Sequence, residues 1–175
     1  DMKGTPGVDM SSGSLGQGIS VACGMAHASK LDGDRFRVYS ILGDGELEEG
    51  QVWEAAMFAS HKKLDTLTAI VDNNNLQIDG ELDNVNSPYP IPEKFKAFNW
   101  HVIEIDGNDF DQIESAFEEA RNTKEQPTAI IMKTTKGKGV SFMENKASWH
   151  GAAPNEEQYN IAMAELGEAL RELEK

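Results

Sequence analysis

The sequence predicts an α/β fold: a doubly wound, mainly parallel sheet with helices on both faces. The first observation is a βαβα rhythm, in which short strand-like runs alternate with segments of helical spacing. The second is a pair of strand-like runs, Phe36–Leu42 and Leu67–Asp72, with a single helical segment between them as crossover. The third is Thr128–Thr134, apolar and β-branched enough to be a buried strand. In chain order, 1–14 is turn-rich and irregular. Leu15–Leu31 has small and apolar residues at helical spacing (Leu15, Ile19, Ala22, Met25, Ala26) and stops at Asp32-Gly33-Asp34. Arg37–Leu42 is a strand. Glu48–Lys63 is a helix with Val52, Ala55, Ala56 and Ala59 inward, and Leu67–Asp72 is the next strand. Leu76–Asn86 reads as a loop, and Pro88, Pro90 and Pro92 forbid a central strand after it. A short helix at Glu93–Asn99, a strand at His101–Asp106 and a helix at Phe110–Asn122 precede the buried strand. Lys136–Trp149 is a glycine-containing loop, and Asn155–Glu174 is a final helix.

At 175 residues the chain reads as a single domain spanning 1–175. Chains of this size bury about 70% of their unfolded surface, so no disulfide staple is needed. The one cysteine, Cys23, lies in a small-residue helical stretch and reads as a buried apolar residue, compatible with a reducing cytoplasm. A net charge of −14 argues against nucleic acid as a partner. No apolar run approaches the roughly 20 residues of a membrane span, and no signal peptide is visible. The first residue is Asp1, which suggests a chain trimmed at its N-terminus from a longer protein.

Gly43-Asp44-Gly45 closes one strand-like run, and Asn73-Asn74-Asn75 closes the next. In a parallel sheet joined by one crossover helix these ends lie side by side. Asp44 and an asparagine then converge on one point and offer oxygen to a hard cation. Gly45 lets backbone N–H groups approach an anion at the start of the following helix. A cation site beside an anion cradle fits a metal diphosphate. The other readings of these residues are a helix N-cap for Asp44 and simple turn tolerance for the asparagines. His27, His61 and His101 carry no functional context and read as structural or exposed.

Gly43-Asp44-Gly45 followed by Asn74 and Asn75 resembles the thiamine-diphosphate signature. The longer string at 43–56, with Gly13-Ser14-Leu15-Gly16-Gln17-Gly18 upstream and Trp149-His150-Gly151 downstream, resembles transketolases over roughly 7–155. The resemblance implies the thiamine-diphosphate-binding fold and a set of roles. Aligning on Ile78-Asp79-Gly80 makes Asp44, Asn74 and the carbonyl of Leu76 ligands of Mg²⁺ or Ca²⁺. Gly43, Gly45 and Glu46 belong to the diphosphate cradle. Gly13 and Leu15 border the aminopyrimidine ring, Ile78 packs on the thiazolium ring, and Lys136 suits the diphosphate charge. His150 stands near the reacting carbons as a hydrogen-bond or proton donor to a developing alkoxide. Glu49 and Glu54 lie near a dimer interface; without the resemblance, the run Glu46, Glu48, Glu49 and Glu54 reads as a solvated helix face.

The implied activity is that of a transferase moving a two-carbon ketol unit from a ketose phosphate to an aldose phosphate, in the pentose phosphate pathway of the cytoplasm. The ring-activating carboxylate of transketolases lies on a pyrimidine-binding C-terminal half that this chain lacks. The chain alone is therefore expected to be inactive, and to work as part of a homodimer or heterotetramer with that half, either a separate polypeptide or a removed domain. Two alternatives stand beside this reading: a 1-deoxyxylulose-5-phosphate synthase-like thiamine enzyme, and a non-catalytic interaction module of the same fold. A nicotinamide-binding domain is disfavoured, because no Gly-x-Gly-x-x-Gly opens a helix after a strand.

Overall fold

The computed structural model describes residues 2–174, so Asp1 of the expected irregular N-terminus lies outside the described residues. The first half contains α1 (Gly18–Asp32), β1 (Val38–Gly43), α2 (Gly50–His61), β2 (Leu67–Asn73), β3 (Leu76–Gln77), β4 (Gly80–Glu81) and α3 (Leu82–Val85). The second half contains α4 (Ile91–Ala97), β5 (His101–Asp106), α5 (Phe110–Asn122), β6 (Thr128–Lys133) and α6 (Glu156–Leu173). β1, β2, β6 and β5 form, in that order, a four-stranded sheet in which every pairing is parallel. Gly43 pairs with Asp72, Asp72 with Met132, and Met132 with Ile105, so the C-terminal ends of all four strands are level.

Side chains alternate across the sheet and separate two cores. On one face Ile19, Ala22 and Ala26 of α1, Val52, Ala55 and Ala59 of α2, and Ile91 and Phe95 of α4 pack on Val38, Leu42, Ala69, Val71, Ala129 and Ile131. On the other, Ala116 and Ala120 of α5 pack on Ile130, with Ile103, Ile105 and Met132 alongside. Helices therefore lie on both faces, as the sequence predicts. Cover on the second face stops short of β1: Tyr39 touches Phe117 edge-on, and Ile41 is 75% exposed.

Three segments depart from the sequence reading. The helix expected at Leu15–Leu31 begins at Gly18 and ends at Asp32, which leaves Leu15 in the preceding turn and exposed. The helix expected at Glu48–Lys63 runs from Gly50 to His61. Gly45–Glu48 form one 3₁₀ turn, Glu49 is extended at φ −73° and ψ 125°, and α2 starts at Gly50. Leu47 in that turn is buried, and its carbonyl accepts a 2.9 Å bond from the Trp53 indole N–H. Finally, the expected loop at Leu76–Asn86 contains the β3–β4 hairpin and the helical turn α3. Glycine at Gly80 (φ +138°) allows the hairpin to turn within two residues of β3, too tight for a period-2 pattern to show.

Candidate functional site

The level C-terminal ends of β1 and β2 bring Asp44 against the Asn73–Asn75 run. Asp44 is 1% exposed. Its Oδ1 accepts from the Gly45 N–H at 2.9 Å, and its Oδ2 accepts from the Asn75 N–H at 2.6 Å and the Asn73 side-chain amide at 3.1 Å. Burial pushes the carboxyl above the usual aspartate range. The three donors pull it back, and the like charge of Asp72 raises it again. The result is a buried carboxylate held by neutral donors beside a second carboxylate, an arrangement that favours a bound cation.

Each asparagine does a different job. Asn73 spends its two amide hydrogens on Asp44 and on the Tyr89 hydroxyl, the latter at 2.6 Å. Asn74 folds back, its Oδ1 accepting from the Leu76 N–H at 3.0 Å. Asn75 adopts the left-handed conformation at φ +63°, which asparagine tolerates, and so turns its N–H onto Asp44. Asn73 and Asn75 thus touch Asp44 directly, while Asn74 and Leu76 stand in the adjoining turn. Next to them Asp72 accepts a bond from the Thr134 hydroxyl, which follows β6.

Glycine at position 45 serves packing: a Cβ there would lie 3.0 Å from the Gln77 Cβ. Its own N–H donates to Asp44. Glu46 accepts from the Gly16 N–H at 2.8 Å and the Gly43 N–H at 3.1 Å, which brings the Gly13–Gly16 turn to the end of β1. Leu15 and Ile78 are 60% and 68% exposed, apolar surface suited to stacking against flat rings. Glu49 and Glu54 are also exposed.

Lys136 is half-buried in the loop beyond β6, and its carbonyl accepts from the Asn145 N–H at 3.0 Å. Further along the loop, the Trp149 indole N–H donates to the Phe142 carbonyl at 3.0 Å, and Ser141 bonds Glu165 of α6. These contacts fix the chain just before His150, which is exposed. No hydrogen bond joins the His150 ring to Asp44, Asn74 or Lys136 among the described residues. Cys23 is buried as expected, its thiol pushed up to about 11 by burial. Sequence reading missed Asn73, Tyr89, Gln77 and the two-ended bond of Glu46. Only the position of Asn73 at a strand end could have signalled its part.

No helix of the described residues is long and apolar enough to cross a membrane. The sequence profile described as "Transketolase, thiamine diphosphate binding domain" matches residues 1–172. The chain is 48% identical over 166 residues to a 6-deoxy-6-sulfo-D-fructose transketolase subunit of Clostridium sp. strain MSTE9, covering 95% of this chain and 60% of that protein. It is 43% identical over 170 residues to an apulose-4-phosphate transketolase subunit of Phocaeicola vulgatus, covering 97% and 60%. Among solved structures, transketolase of Campylobacter jejuni matches with a TM-score of 0.85 at 34% identity, over 92% of this chain and 26% of that one. The chain thus spans about 60% of the length of the subunit relatives and about a quarter of that transketolase.

Proposed function

Since the chain belongs to the family of thiamine-diphosphate-binding domains of transketolase, we propose that it holds the metal–diphosphate end of thiamine diphosphate where β1 and β2 end. The observation that carries this is the buried Asp44 carboxylate at the level strand ends, whose hydrogen-bond donors are all neutral. A Mg²⁺ or Ca²⁺ ion would take Asp44, Asn74 and the carbonyl of Leu76 as ligands, an all-oxygen set suited to either ion. No group of three or more His, Cys, Asp or Glu forms a rival metal site among the described residues. Gly43, Gly45 and Glu46 shape the floor of the site, Gly13, Leu15 and Ile78 border the rings, and Lys136 offers positive charge to the diphosphate.

When bound, thiamine diphosphate supplies the carbon nucleophile that cleaves a ketose. This chain's part is to anchor the diphosphate, to cover one side of the rings with Leu15 and Ile78, and to offer the His150 imidazole to a substrate oxygen that gains or loses a proton. The reaction is transfer of a two-carbon ketol unit between sugars ending in an anionic group. The substrate names of the two subunit relatives, a sulfonate and a phosphate, fit that class. A pyrimidine-binding C-terminal half completes the site in a homodimer or heterotetramer, in the cytoplasm and in the manner of the pentose phosphate pathway. The Gly13–Leu15 turn and the Glu49–Glu54 stretch form part of the face toward it.

Calorimetric titration of thiamine diphosphate tests the reading. Binding is expected only with a divalent ion, to be weak for the chain alone and to tighten when a transketolase C-terminal half is added. Asp44→Ala should remove metal-dependent binding. Unchanged binding by Asp44→Ala at matched Mg²⁺ would sink the assignment, and ketol transfer by the chain alone would refute the split site.

A further inference from the structure

The 3₁₀ turn Gly45–Glu48 carries two carboxylates in an otherwise packed segment. Glu46 bridges thirty residues of sequence: one oxygen accepts from Gly16 at 2.8 Å and the other from Gly43 at 3.1 Å. Glu48 accepts from the Gln77 side-chain amide at 2.8 Å. Gly16 directly follows Leu15, and Gln77 directly precedes Ile78. Glu46 therefore holds the main chain, and Glu48 a side chain, one residue away from one of the exposed apolar side chains, Leu15 and Ile78. The turn between them is itself fixed. Leu47 is buried in the core and bonded by Trp53, and Gly45 lacks the Cβ that would push Gln77 away.

We propose that Glu46 and Glu48 are positioning residues: by tying the Leu15 turn and the Ile78 hairpin to one rigid turn, they set the apolar clamp that grips the ring-bearing part of the cofactor. This rests on the thiamine-diphosphate reading above. It differs from the solvated acidic face that the sequence suggests. On a solvated face Glu→Gln and Glu→Ala changes are nearly silent, whereas a tether lost one residue from each ring contact loosens the clamp. A carboxylate suits position 46 because it accepts two N–H bonds from two directions, where a glutamine offers one oxygen. At 48 a single acceptor suffices, so glutamine should replace glutamate there.

Two measurements on the full chain test this. Without any ligand, hydrogen exchange at the Gly16 and Gly43 amides should quicken roughly tenfold or more in E46A, the scale of a lost hydrogen bond to a charged group. With Mg²⁺ present, E48A should weaken thiamine diphosphate binding about tenfold, while inorganic pyrophosphate, which has no rings, binds as in wild type; E46A, whose residue also shapes the diphosphate floor, should weaken thiamine diphosphate about tenfold more than it weakens pyrophosphate. E48Q should restore wild-type affinity. E46Q, which keeps one acceptor oxygen, should fall between wild type and E46A, and it serves if E46A fails to fold. Equal loss of pyrophosphate and cofactor affinity would overturn the inference, since the damage would then lie in the metal–diphosphate site. Unchanged exchange and unchanged affinity would overturn it as well. A wild-type chain that binds neither ligand overturns the proposed function in the wild-type titration alone; wild-type binding with silent variants overturns only the positioning role.

Discussion

Gly16→Ala is the substitution whose cost the structure defines most sharply. Gly16 sits at φ +79°, and a Cβ there would lie 2.7 Å from the Glu49 Cβ and 3.2 Å from its Cγ. The left-handed conformation costs an alanine about 1–2 kcal/mol. Forcing a methyl group into a filled space costs about 1–3 kcal/mol more. The neighbouring atom is a Cβ close to the backbone, so it yields only if the turn moves away from α2. The sum, about 2–5 kcal/mol, should lower the melting temperature by roughly 4–20 °C for a chain of this length. Gly24→Ala is the internal control. It lies in mid-α1 with nothing within 4 Å of an added Cβ, so alanine should gain about 0.5–1 kcal/mol from helix propensity and raise the melting temperature by ~2–4 °C. Thermal melts followed by circular dichroism, with reversibility checked, measure both. A Gly16→Ala protein melting within ~2 °C of wild type, or a Gly24→Ala protein melting below it, would refute the reasoning.

The other predictions concern His150 and Asp109. His150 is exposed and its ring has no hydrogen-bond partner among the described residues, so His150→Ala in the assembled enzyme should cut turnover or raise the donor KM while leaving the melting temperature unchanged. A large stability loss with normal kinetics would assign it to the fold. Asp109 caps α5, and its carboxyl is held below the usual aspartate value of 3.8 by the side chain and N–H of Gln112 and by the N–H of Asp111. A depressed folded pKa means that its stabilisation is present above the unfolded value and fades as pH falls through the folded one. Asp109→Ala should therefore melt below wild type at pH 7, with the gap closing in acid below 3.8. A gap that stays constant into strong acid would show that the ionised cap contributes nothing.

The strands and most of the helices were legible in the sequence because each follows one local rule. Leu67–Asn73 and Thr128–Lys133 are apolar runs long enough to be buried on both faces, and Val52, Ala55, Ala56 and Ala59 mark one helical side. The motif order likewise led to Asp44 and the Asn73–Asn75 run, because two parallel strands joined by one crossover must end together. Non-local tethers remained hidden. Nothing near Glu46 in sequence shows that its partner is Gly16, and an acidic run before a helix looks solvated whether or not its oxygens are used. The late start of α2 was hidden in the same way: Glu48 and Glu49 suit the first turn of a helix, and only the backbone puts Glu48 in a 3₁₀ turn and Glu49 in an extended conformation. The triple asparagine is ambiguous by composition, since all three tolerate turns and only the path of the backbone distributes their roles.

The electrostatics of the site explain why so much of its hydrogen bonding is spent on its own acids. Asp44, Asp72, Glu46 and Glu48 stand where a diphosphate would approach, on a chain of net charge −14. Left to itself such a surface repels an anion. The donors at the site, Gly45, Asn73 and Asn75 on Asp44, Gly16 and Gly43 on Glu46, Gln77 on Glu48 and Thr134 on Asp72, fix where each carboxylate points but leave its charge in place. On the proposed reading a divalent cation would reverse the balance, because Asp44 would offer it a buried carboxylate already ordered by its donors. On this argument the metal would be the condition for diphosphate binding, and Lys136 would act only as a supplement from the β6 side. The acidic turn that looks hostile to the ligand would then be the framework that holds the proposed cation anchor and the two proposed ring contacts in one place.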